Sequence, residues 1–164
     1  MLIEFRVENH RSLRDEQALT LEAGRRIGDP TDQRPREVAG HREKLLPAAV
    51  IYGGNASGKS NVLSALAFMH DAVVFSHRGW DPEGGVPRTA FAWGAKRNEP
   101  SVFEVSFLND GVRFEYGFSV NDGVVEEEWL HAWPKNRKQE WFSREVDQFK
   151  FGEFLKGPND IVKE

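Results

Sequence analysis

Eight consecutive residues carry the clearest chemical signal of the chain: Gly53-Gly54-Asn55-Ala56-Ser57-Gly58-Lys59-Ser60. Their spacing fits the pattern G-x-x-x-x-G-K-[ST], in which backbone N–H groups of a glycine-rich loop surround the phosphates of a nucleoside triphosphate. Glycine suits this task because it lacks a Cβ and readily adopts positive φ. In this pattern the Lys59 ammonium reaches the β- and γ-phosphates, and the Ser60 hydroxyl binds Mg²⁺. The sequence therefore predicts a nucleotide-binding phosphate loop at 53–60.

The segments on either side of the octet decide between a phosphate loop and an ordinary glycine-rich turn. Residues 48–52 form a short apolar run, typical of a central parallel strand that is buried on both faces. Residues 60–75 contain neither Gly nor Pro and are rich in helix formers, which predicts a helix. A helix that begins at the loop would add free N–H groups and the positive end of its dipole. Both flanks favour the phosphate loop.

Composition limits the classes of protein to which the chain can belong. With 164 residues, we expect one domain or one lobe of a larger one. The absence of cysteine excludes disulfides and thiolate metal sites, and the five histidines lack metal-ligand spacing. No stretch approaches a membrane span or a secretory signal, so we expect a soluble cytoplasmic protein without membrane contact. A net charge of −4 gives no general attraction to DNA. A solvated turn is the simpler interpretation of the compact basic run Lys135, Arg137 and Lys138, and a DNA contact is the alternative.

Alternating apolar residues predict antiparallel strands at both ends of the chain. Residues 3–7 alternate as a half-buried strand, and residues 18–22 can return as its partner with Leu19 and Leu21 inward. Segment 23–47, rich in Gly, Pro and charge, predicts a long surface loop, and 77–87 predicts another. Residues 103–107, 112–120 and 124–133 predict a meander with turns at Asp110-Gly111 and Asp122-Gly123, each supplying positive φ. Residues 135–138 predict a further turn, and Trp141 opens a possible fourth strand; beyond Val146 the pattern fades.

These elements predict an α/β fold in a single domain, 1–164. The phosphate-loop core would occupy 1–76, with the loop 23–47, and an antiparallel β-subdomain would occupy 88–146. Hydrolysis also needs a carboxylate for Mg²⁺, usually after an apolar strand, and no such segment follows residue 60. We therefore identify no catalytic residue and expect an N-terminal lobe that binds nucleotide without efficient turnover, its C-terminal lobe being absent. A complete small kinase and a non-catalytic nucleotide-sensing module are the alternatives.

The order of these motifs resembles the ABC-type ATPase heads of the RecF and SMC branch. Within that branch, the chain is most similar to bacterial AAA-domain ATP-binding proteins related to the OLD-family and abortive-infection ATPases. The resemblance rests on Val7-Glu8-Asn9-His10-Arg11-Ser12-Leu13, on the phosphate loop followed by Asn61-Val62-Leu63, and on the β-subdomain segments 98–118 and 125–130.

The resemblance implies ATP and Mg²⁺ as ligands, with two heads sandwiching the nucleotides in a homodimer. It implies that Arg11 and Ser12 lie near the nucleotide and that Asn61 belongs with the loop; without it, Arg11 reads as a surface residue after an edge strand. It also implies a C-terminal half with the remaining catalytic motifs, an effector or DNA as partner, and a glutamine for which Gln139 and Gln148 are candidates. Abortive-infection defence is the implied cellular setting.

Overall fold

The computed structural model describes residues 1–24, 34–81 and 83–157. One α-helix and seven strands form its framework: β1 Leu2–Glu8, β2 Gln17–Thr20, α1 Lys59–Gly79, β3 Ser101–Asn109, β4 Val112–Val120, β5 Val125–Trp133, β6 Gln139–Glu145 and β7 Gln148–Phe151. Two short 3-10 helices, Ala95–Asn98 and Pro134–Asn136, lie in the connections. In the described part of the chain, no helix has the length and apolar character required to cross a membrane.

All seven strands belong to one antiparallel sheet in the order β2-β1-β3-β4-β5-β6-β7. The predicted pairing of the first two strands is confirmed, with Phe5 opposite Leu19. The predicted meander and its fourth strand are confirmed as β3 to β6. Strand β1 also pairs with β3, with Phe5 opposite Val105, so the N-terminal hairpin and the meander share one sheet.

Helix α1 packs on one face of this sheet through residues at helical spacing. Ala65, Met69 and Ala72 are buried, as expected for positions that recur on one side of a helix. They form a core with Phe5 and Phe103, joined by the buried Val7, Leu13, Val86, Phe118 and Val120. The helix continues to Gly79, so the loop predicted to start at residue 77 begins later.

The predicted buried strand at 48–52 is wrong. These residues form no strand, and the side chains of Val50 and Tyr52 are 70% and 86% exposed. A central parallel strand needs hydrogen-bonded neighbours on both sides. The strands of the described chain pair with one another in the antiparallel sheet, and the apolar run is not among them.

Part of the predicted surface loop 23–47 is packed against the sheet. Residues 25–33 of this loop lie outside the described residues. Leu45 is fully buried with Ile3 and Leu108, and it exchanges backbone hydrogen bonds of 2.8 and 2.9 Å with Arg36. The prediction is wrong for this part because a single leucine pair, Leu45-Leu46, between charged residues and a proline gives no periodic signal.

Two turns show how side chains alter the expected backbone. Asp110 and Gly111 have φ of 48° and 74°, which confirms the first Asp-Gly turn. The second predicted turn is also present, between β4 and β5, but its predicted positive φ is wrong, since neither Asp122 nor Gly123 is among the described residues with positive φ. There the Asn121 side-chain oxygen accepts hydrogen bonds from the N–H groups of Gly123 (2.7 Å) and Val124 (2.9 Å), which closes the turn instead.

Strand β7 was not predicted. It pairs with β6 through a turn at Val146, which has a φ of 52°. Because a β-branched residue is disfavoured at positive φ, the sequence carries no turn signal there. The alternation of Phe149 and Phe151 is the signal that could have identified the strand.

Candidate functional site

Two glycines of the octet, Gly53 and Gly58, leave little room for a side chain. Gly58 precedes α1 with a φ of 90°, and a Cβ on it would lie 3.1 Å from the Ser12 hydroxyl oxygen. A Cβ on Gly53 would lie 2.6 Å from Ser57 Oγ, closer than atoms can pack. Ala56 also has positive φ, at 62°. Gly54 and Asn55 complete the loop on its exposed side. A larger residue at position 53 or 58 would therefore distort the loop, whereas Gly54 has open space around it.

The first turn of α1 is suited to bind an anion. It contains no acidic residue and no side-chain cap. Among the described residues, none accepts a hydrogen bond from the backbone N–H groups of Gly58, Lys59 or Ser60. Free N–H groups and the positive end of the helix dipole both attract phosphate.

Lys59 lies folded back across the loop. Its ammonium donates hydrogen bonds to the carbonyl oxygens of Gly53 (2.8 Å) and Gly54 (2.5 Å), with Ser57 Oγ at 3.5 Å. The charge is thus held within the loop that directly precedes the free N–H groups. Ser60 follows at the exposed start of the helix. The donor set fits a triphosphate, and the Ser60 hydroxyl fits Mg²⁺ as one ligand.

A tight turn after β1 contacts the loop. Reciprocal backbone hydrogen bonds of 2.9 and 2.8 Å between His10 and Leu13 place Arg11 and Ser12 at its tip. The Asn61 side-chain amide donates a hydrogen bond of 2.6 Å to Ser12 Oγ. The structure therefore brings Ser12 and Asn61 together beside Gly58. Arg11 is exposed next to Ser12, and its backbone N–H donates to Thr89 O (2.8 Å).

Asn9 holds this turn in place, a role that was not predicted from the sequence. It is fully buried with a φ of 55°. Its side-chain amide donates to the carbonyl oxygen of Glu99 (2.7 Å), and its side-chain oxygen accepts from the N–H of Phe91 (2.9 Å). An asparagine directly after an alternating strand is the signal that could have indicated a left-handed residue here.

His10 was given no role in the sequence beyond its place in the 7–13 segment, and the structure buries it against α1. It is 2% exposed, and its Nε2 lies 3.0 Å from Ser64 Oγ on α1. Burial, with a smaller contribution from the Arg11 charge, lowers the pKa of His10 to about 4. The imidazole is therefore neutral at pH 7.

Other residues singled out in the sequence lie away from the loop. Gln139 and Gln148 begin β6 and β7, separated from β1 by at least three strands. The basic run 135–138 forms the β5–β6 turn, where Lys138 Nζ lies 5.7 Å from the Trp133 ring centre. In ranges 1–24, 34–81 and 83–157, no group of three or more His, Asp and Glu could hold a metal ion.

Comparison with known proteins gives one family match. The family described as "AAA domain, putative AbiEii toxin, Type IV TA system" matches residues 48–154. This segment contains the octet, α1 and strands β3 to β7, and it makes up more than half of the chain. No curated protein matches the chain. The turn that carries Arg11 and Ser12 lies before the matched segment.

Proposed function

Since the chain belongs to this AAA-domain family, and so has a P-loop nucleoside triphosphatase fold and a nucleotide-binding role, we propose that it binds ATP with Mg²⁺ at 53–60. The observation that carries this proposal is the start of α1. Free N–H groups of 58–60, the absence of an acidic residue in the first turn and the Lys59 ammonium converge on one loop. Lys59 would exchange its carbonyl partners for phosphate oxygens, Ser60 would bind Mg²⁺, and Arg11 and Ser12 would border the nucleotide.

Titration with a fluorescent ATP analogue tests this proposal. We expect saturable binding that unlabelled ATP competes away and that weakens when Mg²⁺ is removed. A parallel titration with a GTP analogue tests the preference for adenine. Absence of saturable binding by the folded protein would refute the assignment of the site.

We further propose that the chain acts as the nucleotide-binding lobe of an SMC- or RecF-like ATPase, whose ATP-driven association controls an effector or DNA. Apolar side chains left open by the fold support this proposal. Val50 and Tyr52 before the loop, and Leu63, Val73 and Phe75 on α1, are all exposed. Exposed apolar side chains that occur both beside the loop and along α1 suit packing against another lobe or a second head.

Two measurements test the head-association proposal. Sedimentation with and without ATP should show a dimer only with ATP, in a protein that carries both lobes. Phosphate release should be slow from this chain alone and faster in that longer protein. Efficient transfer of phosphate by this chain alone would favour a complete small kinase, and binding without turnover in the longer protein would favour a nucleotide sensor.

For the cellular setting, we propose abortive-infection-type defence. The family description names an AbiEii toxin and a type IV toxin–antitoxin system, which supports this setting. Plaque counts on cells that express the complete protein, compared with cells that express its Lys59→Ala form, provide the test. Equal plaque counts would exclude an ATP-dependent defence role against the phages used.

A further inference from the structure

We propose that His10 is a positioning residue for the phosphate loop, and that its hydrogen bond to Ser64 fixes the first turn of α1 for phosphate binding. This inference rests on the proposed binding of ATP. It assigns a role to a buried polar side chain that is not among the proposed phosphate ligands. Three contacts around Asn61 carry the argument.

The first contact determines which nitrogen of His10 bears the proton. Ser64 Oγ donates a hydrogen bond of 3.0 Å to the carbonyl oxygen of Asn61. A hydroxyl has a single hydrogen, so the His10 Nε2 at 3.0 Å must be the donor to Ser64. His10 Nδ1 is then an acceptor, buried without a partner among the described residues. Protonation of Nδ1 would add a buried N–H with no acceptor, which burial disfavours.

The second and third contacts join Asn61 to the loop and to the turn. Its backbone N–H donates to Gly58 O (2.9 Å), and its side chain donates to Ser12 Oγ (2.6 Å). Asn61 is therefore held through its N–H, its carbonyl and its side chain. The N–H groups of 58–60, which face no acceptor, lie directly before this anchored residue.

His10 is itself held by the core. Its ring centre lies 6.1 Å from that of Phe68 on α1 and 5.6 Å from that of Phe103 on β3. The imidazole thus connects the sheet to the helix start through a fixed group. A loop that is already ordered loses less entropy when it binds a ligand. We therefore expect removal of the His10–Ser64 bond to weaken ATP binding.

Variants at both ends of the bond test the inference. For His10→Phe and Ser64→Ala, we expect ATP affinity to fall roughly threefold to tenfold, the range for loss of one hydrogen bond. His10→Gln retains an N–H donor at a comparable reach, and it should recover most of the affinity. Ser76→Ala removes another half-buried hydroxyl from α1, and His70→Gln changes an exposed histidine of the same helix, so both should bind as wild type.

The double variant His10→Phe/Ser64→Ala should bind ATP with about the affinity of whichever single variant binds ATP less tightly, because both changes remove the same bond. Wild-type affinity in both single variants would overturn the inference while leaving the proposed function intact. Failure of the wild-type protein to bind ATP would instead refute the proposed function. If His10→Phe does not fold, the ATP affinities of Ser64→Ala and His10→Gln, compared with that of the wild type, still test the inference.

Nitrogen-15 NMR of the histidine rings gives a readout that packing alone would not move. We expect the neutral Nε2–H form of His10 at pH 7, with a shift of its Nε2 resonance in Ser64→Ala and on saturation with ATP. The Nδ1–H form, or a resonance insensitive to both changes, would overturn the inference.

Discussion

The Asn61 side chain donates a 2.6 Å hydrogen bond to the hydroxyl of Ser12, which lies 49 positions earlier in the chain. This bond joins the first turn of α1 to the turn that follows β1. Gly58 lies beside it, since a Cβ there would approach the same hydroxyl to 3.1 Å. Two segments that are distant in sequence therefore form one candidate site.

Coupling between Ser12 and Asn61 can be measured by a double-mutant cycle of Ser12→Ala and Asn61→Ala. Because both single changes break the same bond, we expect a coupling of about 1 kcal/mol in the free energy of unfolding. Urea denaturation gives this value. The pair Ser12→Ala and Ser76→Ala should be additive, and additivity in the test cycle would contradict the bond.

Lys59→Ala should abolish detectable binding of a fluorescent ATP analogue. The change removes the ammonium at the loop and leaves the partly exposed site without its cation. We expect little change in the thermal unfolding midpoint. Lys150→Ala, on the exposed side of β7, is the matched control and should bind normally. Unchanged affinity of Lys59→Ala would show that the loop is not the site.

Gly58→Ala should weaken ATP binding at least tenfold. Alanine at a φ of 90° is strained, by on the order of 1–2 kcal/mol, and its Cβ would press on the Ser12 hydroxyl. Relief of this strain requires movement of the loop. Gly79→Ala, at the end of α1, has open space and no positive φ, so it should be neutral. Fluorescence titration and thermal unfolding of both variants test this, and wild-type affinity in Gly58→Ala would argue against the rigid loop.

Acid should destabilise the protein through His10. The pKa of His10 is lowered to about 4 in the folded state, against 6.5 for an ordinary histidine. Between these values the unfolded chain binds more protons, so the free energy of unfolding falls as pH decreases from 6.5 towards 4. The contribution of His10 to this loss is on the order of 2 kcal/mol.

Comparison of urea denaturation at pH 7 and pH 5 for wild type and His10→Phe isolates this contribution. The variant has no imidazole to protonate, so its stability should depend less on pH over this interval. An identical pH dependence in the two proteins would show that the pKa of His10 is the same in the folded and unfolded states.

Local patterns sufficed to predict much of the sheet and the loop. Strands β3 to β6 alternate strongly, and the helix lacks any breaker between Ser60 and Ser76. These signals are local because side chains alternate across a strand and recur along a helix face. Strand β7 was not predicted because the turn before it places Val146 at positive φ, a conformation that valine disfavours.

The apolar run 48–52 shows the limit of such patterns. Its composition suits a buried strand, yet burial also needs neighbouring strands, and the described residues place Tyr52 in solvent. Apolar composition shows that a segment is compatible with burial. Which elements bury it, if any, depends on the tertiary structure.

The phosphate loop could be predicted from the sequence alone, because glycine, lysine and serine at fixed positions within eight residues specify the backbone conformation and the charge that phosphate binding requires. The sequence could not determine what holds that loop. The contacts of Ser12 with Asn61 and of His10 with Ser64 join residues 49 and 54 positions apart. Their meeting depends on how α1 packs over β1 and β3, and such long-range packing leaves no fixed spacing in the chain.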